Sequence, residues 1–135
     1  MLVLLATLVP IWSQTLQLDF DARLKPAILQ GKKTATIRYG WRNGKKDPRD
    51  YTKNDGSGNA RFPDGSVIPL KIEYVDFVYY VWEEDHIHPE ILRRENYPPN
   101  EEGFYQLLQS LKSYYPDMHV GSEVTIVYFH LRPDN

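Results

Sequence analysis

The chain has no cysteine among its 135 residues. That absence excludes disulfides, thiolate catalysis and cysteine-ligated zinc, and it leaves the redox compartment undetermined. Net charge is nearly absent too, at −2, so the protein as a whole is not a strongly basic nucleic-acid binder. No apolar run is long enough to cross a bilayer as a helix. There is no internal repeat and no linker-like stretch. What is present is a soluble, globular composition, 41% hydrophobic and 25% charged, on a length suited to one domain.

The small net charge hides an asymmetry. Between Gly31 and Lys53 there are eight Lys/Arg and two Asp, or 8 − 2 = +6. Between Glu83 and Glu102 there are seven acids and two arginines, or 2 − 7 = −5. Two solvated surfaces of opposite sign account for this. So does a basic window that attracts phosphate, facing an acidic window that brings a carboxylate to a site.

The segment from Leu2 to Trp12 is apolar apart from Thr7 and contains Pro10. It lacks the basic start of a signal peptide and is too short to span a membrane. Residues 1–15 are therefore expected to be an extension that packs on the domain or on a second copy, allowing a dimer, with residues 16–133 as the domain. A cytoplasmic location without membrane attachment is expected.

Leu16 to Phe20 alternates with period two and predicts a strand. Asp21 suits the cap of a helix reaching Gln30, with Pro26 in its first turn and Gly31 in the left-handed position beyond its end. A strand is expected from about Thr34 to Tyr39. Its parity places Thr34, Thr36 and Arg38 on one face and Ala35 and Ile37 on the other, while Lys33 belongs to the preceding turn.

Gly40 to Gly58 is a long polar loop. Its aromatics, Trp41 and Tyr51, sit among Arg42, Lys45, Lys46, Arg49 and Lys53, a mixture able to stack bases and bind phosphates. A solvated loop with one aromatic tucked into the core explains it equally. Phe62-Pro63-Asp64-Gly65-Ser66 marks a hairpin turn. The strand after it changes apolar phase near Tyr74-Val75, which predicts a bulge or break. Pro89 suits the first position of a short helix capped by Asp85 or His88. His86 and His88 are not expected to bind a metal, because no third ligand is evident. Asn100 begins the clearest helix, with Phe104, Leu107, Leu108, Leu111 and Tyr115 as its apolar stripe. Glu123 to Leu131 predicts a strand buried on both faces. These elements predict an α+β fold, a small mixed β-barrel with flanking helices.

Leu18-Asp-Phe20, then Ile28-Leu-Gln-Gly-Lys-Lys-Thr-Ala-Thr-Ile-Arg38, resembles the opening signature of ASCH domains, which belong to the PUA-like barrel superfamily. Glu95-Asn96-Tyr97 with the following helix is similar to that family's glutamate-centred segment, and Val124 to Phe129 to its closing strand. The chain departs from the pattern in its N-terminal extension, its long loop and the lack of a clear Gly-Asp turn before the hairpin. Some ASCH proteins are thought to bind RNA in a basic cleft. A bacterial subgroup hydrolyses the acetyl amide of acetylcytidine without cofactor or metal, using a lysine, a threonine and a glutamate. The resemblance carries those roles to Lys33, Thr36 and Glu95. Lys32, Arg38, Trp41 and Arg42 are then expected to bind a nucleoside substrate or, in the alternative, RNA. Either Lys33 or Glu95 is the base. A lysine base has to be neutral, which like charges from Lys32 and Arg38 favour and Glu95 opposes.

Overall fold

A computed structural model describes residues 14–40, 51–80, 88–119 and 121–133. Five strands form one curled sheet: β1 (Leu16–Asp19), β2 (Ala35–Tyr39), β3 (Ser57–Arg61), β4 (Val67–Tyr80) and β5 (Ser122–Leu131). Their spatial order is β1-β3-β4-β5-β2. β1 runs parallel to β3, and the other three pairings are antiparallel. With α1 (Lys25–Leu29), α2 (Pro89–Arg94) and α3 (Glu101–Tyr114) alongside, the sheet makes an α+β half-barrel with flanking helices.

The alternation of β5 decides where the two cores lie. Val124, Ile126 and Tyr128 join Ala35 and Ile37 of β2 against Leu92 of α2 and Phe104, Leu107 and Leu111 of α3. Val127 and Phe129 point the other way, into the curl, with Leu18, Phe20, Ile28 and Leu70. A strand whose successive side chains both meet apolar partners is apolar at nearly every position, as the sequence of β5 is.

Local details refine the sequence reading. The segment after β1 is a 3₁₀ turn (Ala22–Leu24) followed by α1, rather than one helix to Gln30. Asp21 caps that turn, accepting from the Arg23 N–H. Pro26 lies at the start of α1, where no helical hydrogen bond needs its missing N–H. The second strand begins at Ala35, one residue later than expected, because the Thr34 N–H is already spent on the Arg94 carbonyl. The phase change in β4 is a one-residue bulge. Ile72 faces Phe129 and Tyr74 faces Tyr128, so Glu73 is the extra residue and the strand continues to Tyr80 unbroken. The expected loop to Gly58 ends at Gly56, because β3 begins at Ser57.

Tyr51 is fully buried in the core inside the curl, so this loop aromatic is structural. Residues 1–13, and the cationic stretch of the loop with Trp41 and Arg42, lie outside the described residues, as does His86. His88 caps α2 by accepting from the Glu90 N–H at Nδ1. No helix among the described residues is long and apolar enough to cross a membrane.

Candidate active site

Two helix ends build the site, and both close in the same way. At the end of α1, Gly31 has φ 73°, its N–H donates to the Ile28 carbonyl, and the Lys32 N–H donates to that of Ala27. At the end of α2, Asn96 has φ 66°, its N–H donates to Arg93, and the Tyr97 N–H donates to Leu92. Each is a Schellman motif, in which a left-handed residue lets two terminal N–H groups reach back to orphan carbonyls. Glycine takes that conformation without cost, and asparagine is among the few other residues that tolerate it. Lys33 follows the first motif and Glu95 forms the cap residue of the second.

The two motifs are fastened to each other. The Thr34 N–H donates to the Arg94 carbonyl at 2.6 Å, and Arg94 Nε donates to Thr34 Oγ1 at 2.9 Å. This clasp joins the neighbours of Lys33 and Glu95. Beside it, Lys33 Nζ donates to Glu95 Oε1 at 2.9 Å, with both side chains 6% exposed.

Thr36 and Arg38 share a face of β2, as strand parity predicts. Arg38 Nε donates to Thr36 Oγ1 at 3.1 Å, and its Nη2 donates to the Asp19 carbonyl at 2.8 Å. The guanidinium also lies 5.0 Å from the centre of the Phe20 ring, a cation–π distance. Arg38 therefore links the two edges of the sheet, β2 and the end of β1.

These side chains line a cleft of about 110 Å³. Lys33, Thr36, Arg38 and Glu95 are among its polar groups, with Asp19, Asp21 and Ser110. Phe20, Leu24, Leu107 and Leu111 supply apolar wall, and Tyr97 and Tyr114 supply wall with a polar tip. Burial pushes the Tyr97 phenol above its ordinary value, against an opposing hydrogen bond with Ser110, so it stays a proton donor. At the rim, Asp21 accepts from Arg23 Nη2 and from the Tyr114 hydroxyl, at 3.1 and 3.3 Å. Hydrogen bonds from the Arg23 backbone and side chain hold the Asp21 carboxyl below the usual range.

Of the residues expected to form the site, Lys33, Thr36, Arg38 and Glu95 come together. Lys32 is exposed and does not line the cleft. Sequence reasoning named Thr34 and Tyr97 without giving them a role in the site, and did not single out Arg94 or Tyr114. Glu95-Asn96-Tyr97 held a usable signal, since a non-glycine left-handed cap favours asparagine. No group of three or more His, Asp or Glu among the described residues is arranged to hold a metal.

The same architecture occurs in solved structures. An ASCH domain from Lactobacillus crispatus JV V101 superposes with a TM-score of 0.63 at 12% identity, covering 88% of this chain and 80% of that one. The fold is the ASCH fold. A DUF984 protein from Enterococcus faecalis V583 shares it at a TM-score of 0.61 and 11% identity, over 88% of this chain and 76% of the other. A third structure with this fold, of a hypothetical protein, gives 0.54 at 14% identity over 88% of this chain and all of that one. No family model and no curated protein matches the sequence. The likeness is thus one of ASCH architecture, and the chemistry has to be argued from the cleft.

Proposed function

We propose that the cleft hydrolyses the acyl amide of a small acylated pyrimidine nucleoside, of the acetylcytidine type. The observation that carries this reading is the buried Lys33–Glu95 ion pair, which lines one cleft with Thr36. Amide hydrolysis needs a nucleophile, a base, a group to bear the oxyanion and an acid for the leaving amine.

In this reading Thr36 Oγ1 attacks the acyl carbonyl carbon. Glu95 takes the hydroxyl proton and returns it to the exocyclic nitrogen as the C–N bond breaks. The amino-pyrimidine nucleoside leaves, and an acyl ester remains on Thr36. Water, giving a proton to the same carboxylate, then attacks the ester carbon. As the bond to Thr36 Oγ1 breaks the carboxylic acid leaves, and Glu95 passes the proton to Oγ1, restoring the hydroxyl and the free carboxylate. Lys33 bears the oxyanion in both halves.

The ion pair supports this division of labour over a lysine base. Lys33 already donates a hydrogen bond to Glu95, so it serves as a cation and donor, and the free electron pairs belong to the carboxylate. Arg38 supports it too. A guanidinium cannot accept a hydrogen bond, so the Thr36 oxygen accepts from it and the threonine hydrogen remains available to a base.

The charges of the lining favour an uncharged ligand. The charged groups of the lining are largely paired, Lys33 with Glu95 and the carboxylates of Asp19 and Asp21 with Arg61 and Arg23. A polyanion gains little from such a surface, whereas a neutral nucleoside loses nothing. The test is chromatographic detection of cytidine released from acetylcytidine, with Thr36→Ala and Glu95→Gln as controls. Release by the wild type and its loss in both folded variants supports the reading. Activity retained by both variants overturns it. So does a wild type that releases nothing and binds RNA with a steep salt dependence, which is the signature of a nucleic-acid module.

A further inference from the structure

The bulge in β4 has a partner across the sheet. It re-aims Glu73, whose Oε2 accepts from Arg94 Nη2 at 2.6 Å. Bulges bend a strand and redirect one side chain, and they recur beside functional sites. Arg94 makes three further contacts. Nε reaches Thr34 Oγ1, Nη2 reaches the Phe129 carbonyl at 3.2 Å, and the guanidinium plane lies 4.9 Å from the centre of the Tyr128 ring. One side chain thus ties the end of α2 to β4, β5 and the entry of β2.

We propose that Arg94, aimed by the bulge residue Glu73, is the positioning residue that sets Glu95 against Lys33. Arg94 does not line the cleft, and its side-chain hydrogen bonds go to Thr34, Glu73 and Phe129 rather than to Lys33 or Thr36. It acts through the backbone. Its carbonyl receives the Thr34 N–H, and Glu95 is the next residue. α2 spans only six residues and is held to the core through Leu92, with Ile91 and Tyr97 packed beside it, so Arg94 supplies the polar restraint next to Glu95. A guanidinium suits this task because its donors sit in a rigid fork, whereas an ammonium is a single point.

The chemical part of this inference rests on the proposed hydrolase, but its geometric part does not. The test therefore has two readings. The first is the Lys33 side-chain ammonium signal in nitrogen–proton NMR, which is sharp while the group is buried and donating to Glu95. The second is kcat for acetylcytidine. Arg94→Lys and Glu73→Ala are compared with Ile68→Ala, a core change inside the curl that weakens folding without touching the clasp.

The Lys33 signal should broaden in Arg94→Lys and Glu73→Ala while it survives in Ile68→Ala. Displacements approaching 1 Å at a reacting group cost up to about a hundredfold in rate, so kcat should fall by about tenfold or more in Arg94→Lys. Glu73→Gln, which keeps an acceptor for Arg94, should restore most of both readings. A Lys33 signal unchanged in Arg94→Lys and Glu73→Ala overturns the proposal. So does equal broadening in Ile68→Ala, which would mark a general loss of stability. If the wild type releases no cytidine, the hydrolase reading fails and the Lys33 signal alone decides the positioning role.

Discussion

Lys33 Nζ donates to Glu95 Oε1 at 2.9 Å, and neither side chain is open to water. A buried pair of this kind is a poor source of stability. Desolvating two charges costs nearly as much as their attraction returns, whereas removing one partner strands the other. Its retention at the centre of a polar cleft makes sense where the charges do chemistry.

The pair can be tested for that trade. Glu95→Ala should destabilise the fold by about 3–5 kcal/mol, because it leaves the Lys33 ammonium unpaired. Lys33→Met combined with Glu95→Leu should lose less than either single change to alanine, and deacylation should vanish in all three. Urea midpoints and cytidine release measure the two effects. A double variant as unstable as the sum of the singles would contradict this account.

Asn96 fixes the end of α2 in a left-handed conformation. Asn96→Ala should cost about 1–2 kcal/mol, the penalty a Cβ ordinarily meets there, and Asn96→Gly should cost nothing measurable. Thermal unfolding of the two variants side by side checks the order.

Gly103 lies in the first turn of α3, against the backbone carbonyl of Pro98. Helix propensity alone predicts that Gly103→Ala gains about 1 kcal/mol. A Cβ at this position collides with the Pro98 backbone, which cannot swing aside as a side chain would. Overpacking costs about 1–3 kcal/mol, so the variant should be less stable than the wild type. A higher urea midpoint in Gly103→Ala would contradict the packing described.

Glu73 gives a pH signature. Burial pushes its carboxyl up, but hydrogen bonds from Arg94 and His130 outweigh burial and hold it below its ordinary 4.5. A depressed carboxyl contributes stability above its unfolded value and loses it as pH falls through the folded value. The melting-temperature gap between wild type and Glu73→Gln should therefore be constant at neutral pH, narrow below about pH 4.5, and close at lower pH. A gap that persists unchanged in strong acid would exclude a charged Glu73.

Much of the frame was legible in the sequence. Period two marked β1 and both faces of β5, the apolar stripe marked α3, and turn chemistry marked Gly31 and the hairpin at Phe62. The placement of Lys33 in a turn, outside the strand register of Thr36, also follows from local rules. The clasp between Thr34 and Arg94 does not. It joins residues 60 apart, and an arginine at the end of a helix reads as ordinary surface. The start of β3 was hidden because Ser57 and Gly58 have weak strand preference. Gly58 is there because the Ile72 side chain occupies the space a Cβ would need. Tyr51 was ambiguous, since one buried aromatic in a polar loop makes no period.

Among the described residues β2 pairs with β5 alone, Ala35 lying opposite Tyr128. During synthesis, then, the strand that carries Thr36 and Arg38 emerges well before its partner and waits until β5 has been made before it finds its ladder. Contacts so distant along the chain form slowly, and an unpaired strand is exposed to wrong partners meanwhile. A ribosome that stops before Ser122 releases a chain whose cleft has no wall to stand on, however complete its signature residues are.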